Sequence, residues 1–265
     1  MSNKNLNKIK FTGFVVTFNE EKHLKECLDS LSLCEQLIVI DLGSSDDSIK
    51  IAKQYDAEII YHKKKPIVEI IRQKNIIYSR NDWIIFLDPD EVLSKNIEDH
   101  LKEIIIKNPK VGSIGMPWNF YFKNKPLNFT FWGINQSKYM VYNKKRNKFS
   151  RYIHGRGIKL LKGYTNLTIH RNEKIYIKHY WIDSYKQLFE KHLRYIKLEG
   201  ESRYAIGERF SWPKLFKTTF KNLGLNLFIY EGIKGGFLGI FLSIFYTWYI
   251  DMALLSLRKY QKNKS

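Results

Sequence analysis

Four apolar runs, separated by stretches of helical periodicity, leave few folds open to the first hundred residues. The runs are Phe11–Thr17, Leu37–Asp41, Ala57–Tyr61 and Trp83–Leu87. Each has the length and composition of a buried strand. Leu24, Cys27, Leu28 and Leu31 mark one helical face between the first two. Ile49 and Ala52 begin a second helix, and Pro66 opens a third that reaches about Ser79. The order is β-α-β-α-β-α-β with short links, which predicts a parallel sheet with helices on both faces. Such sheets bind ligands at the C-terminal ends of their strands. Three polar clusters fall there: Thr17-Phe18-Asn19-Glu20, Asp41 before Gly43-Ser44-Ser45, and Asp88-Pro89-Asp90-Glu91. Asn19 is expected to cap the first helix, with Glu20 and Glu21 in its first turn.

The last cluster carries the chemistry. In an extended chain Asp88 and Asp90 point the same way. Two close carboxylates repel unless a cation lies between them. Mg2+ and Mn2+ take such oxygens and share them with substrate phosphates. A nicotinamide dehydrogenase and a P-loop enzyme are disfavoured, because neither glycine signature follows the first strand. A nucleotidyltransferase would need a Gly- and Lys-rich phosphate loop where Thr17-Phe18-Asn19-Glu20 stands.

Charge narrows the partners. The chain has 265 residues and a formal net charge of +19. No Asp or Glu occurs in residues 104–172, while Lys and Arg recur throughout. An anionic partner is expected: lipid headgroups, phosphorylated substrates or nucleic acid. No classical RNA-binding motif is visible, so a non-catalytic nucleic-acid binder is disfavoured and no nucleic acid is expected. Cys27 and Cys34 are the two cysteines, which implies no disulfide scaffold and fits a reducing compartment. The polar N-terminus runs straight into Phe11–Phe18 and reads as a strand, not a signal peptide.

Val15-Val16-Thr17-Phe18-Asn19-Glu20-Glu21, Val39-Ile40-Asp41-Leu42-Gly43-Ser44-Ser45-Asp46, Gln73-Lys74-Asn75, and Asp82-Trp83 with Leu87-Asp88-Pro89-Asp90-Glu91 resemble family 2 glycosyltransferases. The nearest type is the bacterial lipopolysaccharide-core glucosyltransferase, with its DWxxxLDxDE run. The resemblance covers roughly residues 10–100. It implies the α/β GT-A fold, a Rossmann-like mixed sheet flanked by helices. It also implies a nucleoside-diphosphate sugar donor (a UDP-sugar foremost), Mn2+ or Mg2+ as cofactor, and inversion at the sugar's C1. On it, Thr17, Asn19, Glu20 and Asp41 line the nucleoside pocket. Asp88 and Asp90 hold the metal and the donor's ribose and diphosphate, and Lys74 lies near the phosphates. Many relatives place a second acid after Asp41 to contact the base, but Leu42 stands here. Residues 1–111 would form the donor half of one GT-A domain and 112–205 its acceptor half.

A hydroxyl acceptor needs a general base. None of the acids can come from 104–172, which leaves Asp90, Glu91, Glu173 and Asp183, or the imidazole of His154 or His179. His154 is alternatively a third metal ligand. Relatives often read His-Glu where this chain has His154-Gly155. A polyprenyl-phosphate acceptor would need no base, and Arg151 and Arg156 would grip it.

In the middle region Ser94 is expected to cap a helix to Lys107. Strand-like runs follow at Val111–Pro117, Lys138–Tyr142, Gly157–Leu161, Leu167–His170 and Ile175–Tyr180. Near the end, Asp183-Ser184 caps a helix to about Tyr204, and Trp212 begins another to Tyr230. Gly235–Ile250 is an uncharged run of sixteen residues, short of a bilayer span, with Asp251 interrupting it. The expectation for 206–265 is two amphipathic, membrane-associating helices on an anionic surface, with an amphipathic dimer interface as the alternative and a tilted span with Asp251 buried disfavoured. The whole predicts a peripheral enzyme at the cytoplasmic, inner face of the plasma membrane, acting on a lipid-linked or envelope glycan such as lipopolysaccharide or capsule.

Overall fold

The computed structural model describes residues 8–63, 68–134, 136–149, 158–170 and 175–264. The four apolar runs are strands β1 (Phe11–Thr17), β2 (Gln36–Asp41), β3 (Glu58–Tyr61) and β4 (Trp83–Leu87). Between them lie α1 (Glu21–Ser30), α2 (Ser48–Lys53) and α3 (Val68–Asn75). β1 pairs in parallel with β2 and β4, and β2 with β3, so the order is β3-β2-β1-β4. Alternate residues of β1 enter opposite cores. Phe11 and Val15 pack with Leu24, Leu28 and Ile85, while Phe14 and Val16 pack with Ile40, Ile71 and Phe86. Burial on both faces is why β1, β2 and β4 read as continuous apolar runs.

After β4 come β5 (Glu91–Leu93), α4 (Ile97–Lys107), β6 (Val111–Phe122), β7 (Lys125–Pro126), α5 (Thr130–Gly133), β8 (Ser137–Asn143), β9 (Asn147–Phe149), β10 (Ile158–Leu160), β11 (Thr165–Thr168) and β12 (Ile177–Ile182). β8 joins β4 antiparallel and β6 joins β8 antiparallel, which makes the sheet mixed.

Two cap expectations are corrected. Asn19 sits outside α1 with φ +55, and Glu20 is the N-cap residue, without a side-chain cap bond. Ser94 caps nothing. The chain is still extended there, because the Ser94 N–H bonds the Tyr176 carbonyl and its Oγ accepts the Tyr176 N–H. Asn96, at φ 59, precedes α4 instead.

The chain forms two compact units. Residues 1–119 and 137–179 make the first, and 120–136 and 180–265 the second. The second holds α6 (Tyr185–Ala205), α7 (Trp212–Gly224), a π-helical turn (Leu225–Ile229) and α8 (Gly236–Lys262). Ser184 caps α6 as expected, its hydroxyl accepting the Gln187 N–H at 3.1 Å. The expected break at Asp251 is absent: α8 runs unbroken for 27 residues. A lone Asp costs a helix little when its carboxylate has a partner, and Asp251 Oδ1 accepts from Thr219 Oγ1 of α7 at 2.9 Å. By length and composition alone, α8 is long and apolar enough to cross a membrane.

α6 and α8 approach very closely at Gly200. A Cβ there would lie 2.5 Å from the Ser256 carbonyl oxygen. Gly200→Val is therefore expected to cost about 1–3 kcal/mol through overpacking. The check is the urea midpoint followed by helical circular dichroism, and an unchanged midpoint would refute the tight crossing.

Candidate active site

The site grows from the end of β4. Beyond Leu87 the chain turns: the Glu91 N–H bonds the Asp88 carbonyl at 2.9 Å, and the Asp88 N–H bonds Glu91 Oε2 at 2.9 Å. Pro89 occupies the second position of this turn, where its fixed φ is favoured. Asp88 and Asp90 therefore do not alternate along an extended strand, as the sequence suggests, and they take different partners. Asp88 Oδ1 bonds Arg72 Nη2, and Oδ2 bonds Lys138 Nζ at 2.6 Å. Lys138 also reaches both oxygens of Glu91, at 2.6 and 2.8 Å. Asp90 Oδ2 lies 3.2 Å from His179 Nε2, whose ring stacks on Trp118 with centroids 4.7 Å apart.

These contacts set the charges. Burial pushes the Asp88 carboxyl up, but Arg72 and Lys138 outweigh it and hold the group far below the usual carboxylate range. Glu91 is fully buried, and burial followed by the Asp88 charge pushes its carboxyl up. Burial alone would lower Lys138, yet Asp88 and Glu91 raise it, so it stays protonated.

The tips of β1 and β2 meet beside each other. Asp41 is buried and spends its carboxylate on its own turn, accepting from the Gly43 N–H at 2.9 Å and the Ser44 N–H at 3.1 Å. Gly43 has φ +91, a conformation that favours glycine. Asn19 Oδ1 accepts from the Ser45 N–H at 2.8 Å, and the Glu20 N–H bonds Ser48 Oγ at 3.1 Å. The two loops are thus latched together. Thr17 Oγ1 is buried with no hydrogen-bond partner among the described residues, an open donor and acceptor at the end of β1.

Other candidates fall elsewhere. Lys74 is exposed on α3, and Arg72, two residues earlier, makes the contact with Asp88. Glu91 has no exposed oxygen and both are bonded, so it is a buried strut that no acceptor hydroxyl meets. Asp183 belongs to the second unit, where its N–H donates to Gln187 Oε1 at 2.6 Å. His154 and Glu173, with Arg151 and Arg156, lie outside the described residues. Arg72 and Lys138 escaped the sequence reading. Their one signal is a single basic residue inside each of two otherwise apolar runs, Ile70-Ile71-Arg72 and Lys138-Tyr139-Met140-Val141.

Beside the turn is a cavity of about 430 Å³ lined by Arg72, Gln73, Phe86, Lys138, Tyr139 and Tyr142, among others. Gln73 Oε1 is buried there without a partner among the described residues. No cluster of three His, Cys, Asp or Glu side chains occurs among the described residues. A closed metal cage is thus not present in them. Asp90 and His179 could offer two donors to an ion completed by substrate phosphates and water. Asp88, with both oxygens taken by cations, is the poorer ligand.

The profile of Glycosyl transferase family 2 matches residues 14–162, more than half of the chain. The chain belongs to glycosyltransferase family 2. Its mixed sheet is that of a GT-A enzyme. An uncharacterized glycosyltransferase of Rickettsia felis is 35% identical to it over 98 residues, 36% of this chain and 34% of that protein. The lipopolysaccharide core biosynthesis glycosyltransferase LpsC of Rhizobium meliloti is 27% identical over 108 residues, 39% of this chain and 40% of LpsC. The chain spans about a third of the length of the curated relatives it matches. Among solved structures, glucosyl-3-phosphoglycerate synthase of Mycobacterium tuberculosis with Mg2+ and uridine diphosphate has a TM-score of 0.48 and 14% identity, covering 78% of this chain and 83% of that one.

Proposed function

We propose that this glycosyltransferase moves a sugar, with inversion, from a nucleoside-diphosphate sugar to a lipid-linked or cell-envelope glycan at the inner face of the plasma membrane. A UDP-sugar is the favoured donor. The observation that carries this is the Asp88–Glu91 turn, where Asp90 faces His179 at the end of β4 and two buried-side cations flank Asp88. The name of LpsC and the basic surface support an envelope acceptor.

The chemistry follows from charge. As the donor's C1 is attacked, negative charge grows on the departing diphosphate. Asp90 and His179 would hold a Mn2+ or Mg2+ ion, which would supply a Lewis acid for that charge. Arg72 and Lys138 keep Asp88 ionised and in place, so its carboxylate is available to donor hydroxyls without the cost of charging it. The unpartnered Thr17 hydroxyl and the latched loops of Asn19, Glu20 and Asp41 bind the nucleoside side. Glu91 is sealed off from an acceptor hydroxyl. The acid-free stretch 104–172 favours one second reading, a polyprenyl-phosphate acceptor that arrives already ionised.

A thermal-shift screen of nucleotide sugars with and without Mn2+ tests the donor site. A ligand that binds only the folded state at about a hundred times its Kd adds roughly 2.7 kcal/mol. Stabilisation by a uridine diphosphate sugar that needs the metal is expected. Silence across all nucleoside diphosphates would overturn the proposal.

A further inference from the structure

We propose that the aromatic face of α7 is the surface by which this enzyme rests on an anionic lipid bilayer, and that α8 is a packed strut and not a membrane span. The proposal takes the membrane from the function above and names the element that touches it. An ordinary surface helix buries its apolar stripe and shows its charges to water. α7 leaves its apolar stripe in the open as well. Trp212, Phe216 and Phe220, four residues apart, are 49%, 58% and 74% exposed. No residue of α7 is buried. The inward side carries Thr219, which bonds Asp251 of α8. Beyond α7 the exposed rings continue at Phe228 and Phe237, the latter 82% exposed.

Lysines border this stripe. Lys217 and Lys221 each follow an exposed ring, one helical turn apart, and both are exposed. Residues 206–265 carry nine Lys and Arg against three Asp and Glu. Rings that enter the headgroup layer and lysines that meet its phosphates are the two terms of interfacial binding. The same charge argues against a second copy of the chain as the occupant, because matching faces would bring lysine against lysine.

α8 has a different task. Its Leu242, Phe245, Ala253, Leu254 and Leu257 are buried, and so are the hydroxyls of Ser243 and Thr247. Tyr249 donates to Glu199 of α6 at 2.9 Å, and the Gly200 crossing leaves no room between the helices. A lipid-facing span would have to give up these contacts.

The test is flotation of the full chain with vesicles, either of phosphatidylcholine alone or with about one-third phosphatidylglycerol. Wild-type protein is expected to float with the anionic vesicles, to fall off in high salt, and to be released by alkaline carbonate. F216E/F220E is expected to lose at least about tenfold in partitioning, with an unchanged helical spectrum. Equal flotation of the variant, equal flotation with neutral vesicles, or resistance to carbonate would each overturn the proposal. So would a variant that turns a dimer into a monomer in vesicle-free chromatography, or one that loses binding to a DNA duplex, since then a second copy or nucleic acid covers the face. The metal-dependent shift with uridine diphosphate is recorded on the same samples. Its absence beside intact flotation would count against the donor site and leave this surface standing.

Discussion

Asp90→Asn is expected to lower kcat by about 10²–10³-fold while leaving the fold intact. The side chain is 25% exposed and pairs with the buried His179, so a modest loss of stability accompanies the loss of turnover. What the substitution removes is the ionised oxygen best placed to hold a divalent ion against the donor diphosphate. Asp88→Asn should behave differently. It takes a full charge away from Arg72 and Lys138, both already drawn out of water, so stability and turnover should fall together. Sugar transfer or donor hydrolysis, measured beside thermal melts of both variants, separates the two. Wild-type turnover by Asp90→Asn would remove the turn from the chemistry.

The parallel half of the sheet was legible because its central strands β1, β2 and β4 are buried on both faces and punctuated by a polar tip. Phe14 and Val15 alternate between two cores, yet both are apolar, and nothing in that stretch competes with a strand. The acids at 88 and 90 were legible for the same reason, as carboxylates at the mouth of an apolar run. Their partners were not. Lys138 reaches Asp88 only because β8 lies antiparallel to β4, with Ile85 opposite Val141, and that pairing joins segments some fifty residues apart. No local pattern encodes it. Arg72 was hidden by its neighbour Lys74, since both lie in the last turns of α3 and only the helix's rotation selects between them. Glu91 read as a free acid because burial is a tertiary property. Asp251 read as a break because its partner, Thr219, comes from another helix.

Lys138→Met should be the most destabilising single change near the site, at about 3–5 kcal/mol near neutral pH. Methionine fills much the same space, so the cost is charge and not a cavity. Lys138 gives Glu91 two short bonds and Asp88 a third, and Arg72 can still serve Asp88. Glu91 then keeps a buried charge without the ammonium that bonded both its oxygens. Its carboxyl already stands above its ordinary value, through burial and the charge on Asp88, with Lys138 the first of the influences that hold it down. Without Lys138 it must rise further. In the window between the unfolded and the raised folded value, the folded chain binds more protons than the unfolded one, so stability increases as pH falls. The gap between variant and wild type should therefore narrow from about pH 8 to pH 5. Adding Glu91→Gln to Lys138→Met should recover part of the loss at pH 8 and flatten the pH dependence, since the amide has no charge to bury. Urea midpoints across that range provide the measurement. A pH-independent gap, or a double variant no better than the single, would mean that Lys138 is not what holds Glu91 ionised.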